Sequence, residues 1–213
     1  MTNRPKKKNH KPMRRCGLRS IIILLAIAIV SATPFGITAE PRPMRAQRRV
    51  TRIQINDFAL TDQNSTPFEF KNLAGKVVVV AFAYTTCPDV CPLITASLRQ
   101  VQSGLTKEER KHVRLMTVTT DPEIDSPKVL TAYAKRYGAE FDNWSFLTGN
   151  LSVLEKIWQN FGVGVERKGR GLIDHTPLTA VVDQKKLMRL AYIGPSPDPK
   201  AVLADVRAML REH

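Results

Sequence analysis

Residues 76–92 read KVVVVAFAYTTCPDVCP, a continuous apolar run that leads into two cysteines four apart. β-Branched residues dominate the run and no charged or amide side chain alternates with them, which predicts a central strand over residues 76–84, buried on both faces. In an open α/β sheet, ligands gather at the carboxyl ends of such strands and at the helix starts that follow. Residues 85–92 occupy that place. Pro92 lacks an amide hydrogen, so the next helix is expected to begin there, with Cys91 at its cap and Cys87 in the preceding loop. Both sulfurs then lie near the positive end of a helix, which favours thiolate over thiol and makes each a better nucleophile and metal ligand.

The flanking segments complete an α/β plan. FALT (58–61) and FEF (68–70) bracket the turn-rich residues 62–67 as the arms of a hairpin. Apolar residues at helical spacing fill residues 93–102, and Thr106-Lys107-Glu108-Glu109 opens a second, short helix as a capping box. Residues 113–119 and 144–147 read as strands, and Ser126 before Pro127 opens a helix that ends near Gly138. Val153, Leu154, Ile157, Trp158 and Phe161 share one face of a helix over residues 152–161. Residues 162–171, with four glycines and Arg167, Lys168 and Arg170, read as a mobile loop or an irregular hairpin. Strands over residues 178–182 and 187–192 follow, and Asp198-Pro199 starts a terminal helix through Leu210. Strands alternating with helices and closing on a hairpin plus helix predict a mixed sheet with helices on both faces.

A chain of 213 residues has room for one globular domain and a leader. Residues 1–50 hold 12 of the 33 Lys and Arg against a single acid, Glu40, whereas residues 51–213 carry 21 basic and 18 acidic side chains. A nucleic-acid binder carries its basic footprint on the folded domain, so this distribution argues against that class. The basic excess belongs instead to a leader, residues 1–39. Eight Lys and Arg between Arg4 and Arg19 precede the apolar run 21–30, and no charge appears over residues 20–39. That is the plan of an export signal, which delivers the rest of the chain outside the cytoplasm. Cleavage after Ala39 and retention as a membrane anchor both remain open: Ile37 is bulky for a cleavage site, and Pro34 and Gly36 weaken a spanning helix. Residues 40–49 read as a basic linker near anionic headgroups, and residues 50–213 as the folded domain.

Cys16 lies in the leader, so Cys87 and Cys91 are the cysteines of the exported domain. Their C-x3-C spacing is one residue longer than that of a thioredoxin-type redox pair and lets two sulfurs hold a soft ion. On spacing alone, metal binding, redox chemistry and a structural disulfide all stay open, although a disulfide across so short a loop constrains little. His175, in IDHTP (173–177), is the third candidate ligand: a flexible segment before a strand swings it toward the cysteines. The same position suits an ordinary surface histidine. Two thiolates and an imidazole suit Cu(I), and with an added oxygen ligand Cu(II); zinc fits these donors less distinctively. Asp89 and Asp121 lie at the same sheet edge, where capping and turn formation are their other roles.

Three blocks in order, YTTCPDVCP (84–92), TTDPEIDSP (119–127) and IDHTP (173–177), resemble the signature of the SCO/SenC copper chaperones, and the resemblance runs from about Phe58 to the C-terminus. It implies a thioredoxin-like fold on the periplasmic face of the inner membrane, with copper bound by Cys87, Cys91 and His175 and with Asp121 close by. It further implies a role in metallating the dinuclear copper centre of a cytochrome c oxidase subunit or another exported cuproprotein, or in keeping that subunit's cysteines reduced. The competing class is an extracytoplasmic thiol-disulfide oxidoreductase in which Cys87 attacks and Cys91 resolves. A thiol peroxidase fits poorly, because Tyr84 stands where those enzymes typically carry Thr or Ser. Pro177 departs from the family pattern and either presets His175 or limits its swing.

Overall fold

A computed structural model describes residues 45–212 of the chain; the leader with Cys16 and Ala39, the start of the expected linker, and His213 lie outside the described residues. The first strands are β1 (Gln47–Gln54), β2 (Ala59–Asp62) and β3 (Pro67–Glu69), followed by a 3-10 turn (Phe70–Leu73) and β4 (Val77–Ala83). Next come α1 (Val90–Gly104), α2 (Lys107–His112), β5 (Val113–Thr119), α3 (Pro127–Arg136), β6 (Trp144–Thr148) and α4 (Leu151–Phe161). Two hairpins and a helix close the domain: β7 (Val165–Gly169) with β8 (Leu172–His175), β9 (Leu178–Val182) with β10 (Leu187–Ile193), and α5 (Pro199–Leu210). Among the described residues, no helix is long and apolar enough to cross a membrane.

Eight strands form one mixed sheet in the order β1-β10-β9-β4-β5-β6-β2-β3. β4 runs parallel to β5 and antiparallel to β9, and all seven of its residues are buried. Its lack of polar alternation has a direct cause. Val78, Val80 and Phe82 pack with Leu154, Trp158 and Phe161 of α4 on one face. Val77, Val79 and Ala81 pack with Ile94 and Leu98 of α1 and with Val202 and Val206 of α5 on the other. Each face of β4 therefore supplies a core, and a polar residue at any of these positions would lose its water without gaining a partner. The helices end where their chemistry dictates. The capping box at α2 makes both of its bonds, Glu109 N–H to Thr106 Oγ1 at 3.1 Å and Thr106 N–H to Glu109 Oε2 at 2.8 Å. α4 stops at Gly162, whose φ of +72° is the left-handed cap that a glycine adopts without strain.

Two boundaries differ from the sequence-based expectation. Helix α1 begins at Val90 with Asp89 as its N-cap, so Cys91 and Pro92 lie inside the first turn. The amides of that turn have no intrahelical acceptor, so Pro92 marks the turn as a whole and not its first residue. The expected linker also ends sooner, because residues 47–49 already belong to β1, which pairs antiparallel with β10. Arg48 is fixed by two bonds to Asp205 of α5, at 2.7 and 2.8 Å. Nothing in the local sequence announces that pairing; its partners are more than 130 residues away.

The glycine-rich stretch resolves into the irregular hairpin and not into a mobile loop. β7 and β8 make a two-stranded sheet of their own, with Val165 opposite His175, Arg167 opposite Ile173, and a register shift between Arg167 and Gly169. Its base is closed by a reciprocal pair: Thr176 N–H donates to Gly164 O at 2.9 Å, and Gly164 N–H donates to Thr176 Oγ1 at 3.1 Å. At the tip, Gly171 (φ +71°) passes so close to Ile124 that a Cβ would stand 2.9 Å from its Cδ1. The absence of a side chain lets the hairpin close onto the loop after β5.

Candidate metal centre

The site is built at the carboxyl ends of β4 and β5. Thr120 N–H donates to Ala83 O at 3.0 Å, which holds the two strand ends side by side. The chain then turns through Tyr84–Cys87, with Cys87 N–H donating to Tyr84 O, and enters α1. Both cysteines are free thiols; Cys91 is fully buried and Cys87 partly exposed. Their side chains lie close enough for the protonation of one to govern that of the other.

His175, expected on a loop, occupies the end of β8 and is buried, with only 9% of its surface exposed. Its ring stands edge-on to Tyr84, centroids 5.9 Å apart, and its Nε2 lies 3.6 Å from Cys91 Sγ. Nδ1 is 3.1 Å from the Thr176 carbonyl oxygen. A carbonyl only accepts, so Nδ1 carries the hydrogen and Nε2 turns its lone pair toward the sulfur. This is the tautomer that a metal-binding imidazole needs, set by the atom on its far side. Burial lowers the His175 pKa below its usual value, which keeps the ring neutral.

The two sulfurs divide one proton between them. The hydrogen bond from Cys91, helped by the amides of Asp89 and Cys91 at the start of α1, brings the Cys87 pKa down to about 5 despite partial burial. The same hydrogen bond to Cys87, with burial, drives Cys91 strongly upward. Cys87 is therefore the thiolate and Cys91 the thiol at neutral pH. Tyr84, buried beside the Cys87 thiolate, is pushed up to about 12 and stays neutral. Cys91 keeps its proton between an acceptor thiolate and an acceptor imidazole.

Cys87, Cys91 and His175 thus form a chain of contacts at the top of the central strand. Among the described residues no group of three or more His, Cys, Asp or Glu side chains is closed around an ion-sized gap. The donor chemistry nonetheless fits a soft ion: two sulfurs, one already ionised, and an imidazole nitrogen presented in its ligating tautomer.

The acids near the site have different positions. Asp89 is exposed and makes no side-chain bond at the helix start. Asp121 is fully buried; Arg167 of β7 donates to its Oδ1 at 3.1 Å, while Oδ2 has no partner. Asp125, which the sequence reading passed over, is also fully buried and underlies the cysteine loop. It accepts from the Thr85 amide, the Thr85 hydroxyl and the Thr119 hydroxyl. Burial raises its pKa, against the lowering effect of those donors. An acid four residues after Asp121, just before a helix N-cap, looks like ordinary helix-start chemistry, and only the fold turns it inward.

The SCO1/SenC family description matches residues 46–211. A Bacillus subtilis relative, described as an SCO1 protein homolog, is 36% identical over 96 residues, which cover 45% of this chain and 49% of its own length; the chain thus spans about half of that protein. Among solved structures, BsSco, described as a member of the Sco family of cytochrome c oxidase assembly proteins with a disulfide switch, is 28% identical. The match covers 76% of this chain and 95% of that one with a TM-score of 0.67. Bradyrhizobium japonicum ScoI with copper bound is also 28% identical, over 74% of this chain and 99% of its own, with a TM-score of 0.62. The mixed sheet described above is therefore the thioredoxin-like fold of these proteins, and its relatives include copper-bound structures. Because the family match begins just before β1 and ends just after α5, it takes in every strand and helix described, and the chain belongs to the SCO1/SenC family.

Proposed function

We propose that this protein is an exported copper metallochaperone that holds copper through Cys87, Cys91 and His175 and delivers it to the dinuclear copper centre of a cytochrome c oxidase subunit or to another exported cuproprotein. The observation that carries the reading is the Nε2 lone pair of His175 directed at the Cys91 sulfur, 3.6 Å away, at the end of the central strand. A surface histidine has no reason to be buried in that orientation. The copper-bound Bradyrhizobium relative and the oxidase-assembly role stated for BsSco support the choice of cargo and recipient. The cargo is Cu(I) with the three protein donors, and Cu(II) where an oxygen ligand joins them. The export plan of residues 1–39 supports a location on the periplasmic face of the inner membrane.

Anaerobic titration of the reduced protein with Cu(I) against a competing chelator tests this reading. One tightly held Cu(I) per chain, lost in Cys87→Ser and Cys91→Ser and weakened in His175→Ala, is the expected result. Normal affinity in all three variants would overturn it.

The second reading, an extracytoplasmic thiol-disulfide oxidoreductase acting on cuproprotein cysteines, is favoured by the unequal sulfurs. Cys87 has the ionised form needed for attack on a disulfide, and Cys91, buried beside it, has the place of a resolving thiol. The disulfide switch described for BsSco supports the same chemistry. Disulfide exchange that persists in His175→Ala is its expected signature, and no exchange with any cuproprotein disulfide removes it.

A further inference from the structure

The hairpin that carries His175 shares no ladder with the eight-stranded sheet, so beyond its stem at Gly164 and Thr176 its position is set by contacts with side chains. On its inward face, paired residues alternate down the two strands: Val165 beside His175, and Arg167 beside Ile173. Ile173 and Val165 pack on Ala83, Tyr84 and Cys91, covering the buried thiol. Thr86 Oγ1 donates to Gly171 O at 3.0 Å. Arg167 makes the charged attachment: one nitrogen donates to Asp121 Oδ1 and the other to Glu123 Oε2, both at 3.1 Å. Asp121 is fully buried, and Arg167 is its ion-pair partner among the described residues.

The two ends of this contact are unequal. Glu123 is 58% exposed in its side chain and is well solvated with or without Arg167. Asp121 has no exposed surface, and its second oxygen already lacks a partner. Lifting the hairpin would take the counter-charge from this carboxylate, and that loss disfavours the open state. Closing the hairpin relieves it, and closure is what sets the His175 ring against Cys91.

We propose that Arg167 is a positioning residue: its ion pair with Asp121 latches the β7–β8 hairpin to the loop after β5 and so presents His175 to Cys91. The consequence for copper rests on the reading of His175 as a ligand, whereas the latch itself is a property of the metal-free protein. Without it the hairpin samples open states, and the third donor is available for only a fraction of the time, which lowers apparent affinity by that fraction.

Two measurements on the full chain separate these claims. In the metal-free Cys87→Ser protein, alkylation of Cys91 by iodoacetamide, read by peptide mass spectrometry, reports hairpin opening. Arg167→Gln is expected to speed it about tenfold and Arg167→Lys less, while hydrogen exchange in β4 and β5 stays unchanged and excludes general unfolding. Glu123→Gln, which leaves Asp121 paired, is expected to stay within about twofold of the parent. Alkylation at the parent rate in Arg167→Gln would overturn the latch. With both cysteines present, Cu(I) affinity is then compared in Arg167→Gln, His175→Ala and the double variant. A roughly tenfold loss from Arg167→Gln that vanishes when His175 is already Ala is the expected coupling, and equal losses in both backgrounds would overturn the positioning role. Failure of the parent chain to bind Cu(I) would overturn the copper reading and this consequence of the latch, while the alkylation result would still decide whether the latch exists.

Discussion

The protons on three side chains determine what loading the site does to the surrounding solution. With Cys87 as thiolate, Cys91 as thiol and His175 neutral, engagement of all three donors by Cu(I) at pH 7 is expected to release about one proton, the one on Cys91. Because the Cys87 pKa is about 5 and that of Cys91 is raised, apparent affinity is expected to climb about tenfold per pH unit from pH 6 to 8. Below pH 5 Cys87 binds a proton as well, and the dependence steepens. Proton uptake by a dilute indicator during anaerobic titration measures this, and release of about two protons at pH 7 would mean that Cys87 titrates as an ordinary thiol. The same asymmetry predicts that limited iodoacetamide at pH 6 modifies Cys87 and spares Cys91, which peptide mapping reads directly. At this scale the sequence was informative about donors and silent about their states. Two cysteines before a helix and a histidine before a strand are visible as letters. The hydrogen bond that lowers one sulfur and raises the other, and the Thr176 carbonyl that sets the His175 tautomer, exist only once residues 87, 91 and 175 meet.

Among the elements, those whose signals are local read almost to the residue. β5 was expected over 113–119 and spans Val113–Thr119; α3 starts at Pro127 behind Ser126, as its N-terminal proline dictates. The elements read less well are those whose causes are distant. Residues 47–49 of β1 look like a polar linker because seven of the strand's eight residues are exposed and its hydrogen bonds come from β10. The β7–β8 hairpin could be read equally as a loop or as an irregular hairpin because glycines and charges mask two short strands that pair only with each other. Asp125 belongs to the same class: it joins the segment leading into α1 to the end of β5 through Thr85 and Thr119. Asp125→Ala strands three donors in a buried position and is expected to cost about 3 kcal/mol of folding stability by denaturant unfolding. A loss below about 1 kcal/mol would show that water replaces the carboxylate.

At the scale of the whole domain, the sheet separates two tasks. β1 and β10 lie at one edge, with β9 between β10 and the central β4 that leads to the cysteines. A chain beginning at residue 55 lacks β1 and its clasp to Asp205, and is expected to lose about 3 kcal/mol, or roughly 10 °C in Tm. Its Cu(I) affinity should remain within about twofold of a chain beginning at residue 45. Thermal melts and chelator competition on the two chains test this, and a Tm unchanged by the truncation would mean that β1 adds no stability and would return residues 47–49 to the role of a linker. The reciprocal bonds between Gly164 and Thr176 carry one more consequence. They bring the two stems of the hairpin to a single point, so residues 165–175 leave the scaffold and return to it at the same place. Such an excursion is a cassette: it can be shortened, exchanged or lost in evolution without changing the register of β9 or the course of α4. A scaffold stripped of it retains Cys87 and Cys91 at the head of α1 but sets no imidazole against them. Within one architecture, a single interchangeable insert separates a bare dithiol from a dithiol faced by an imidazole.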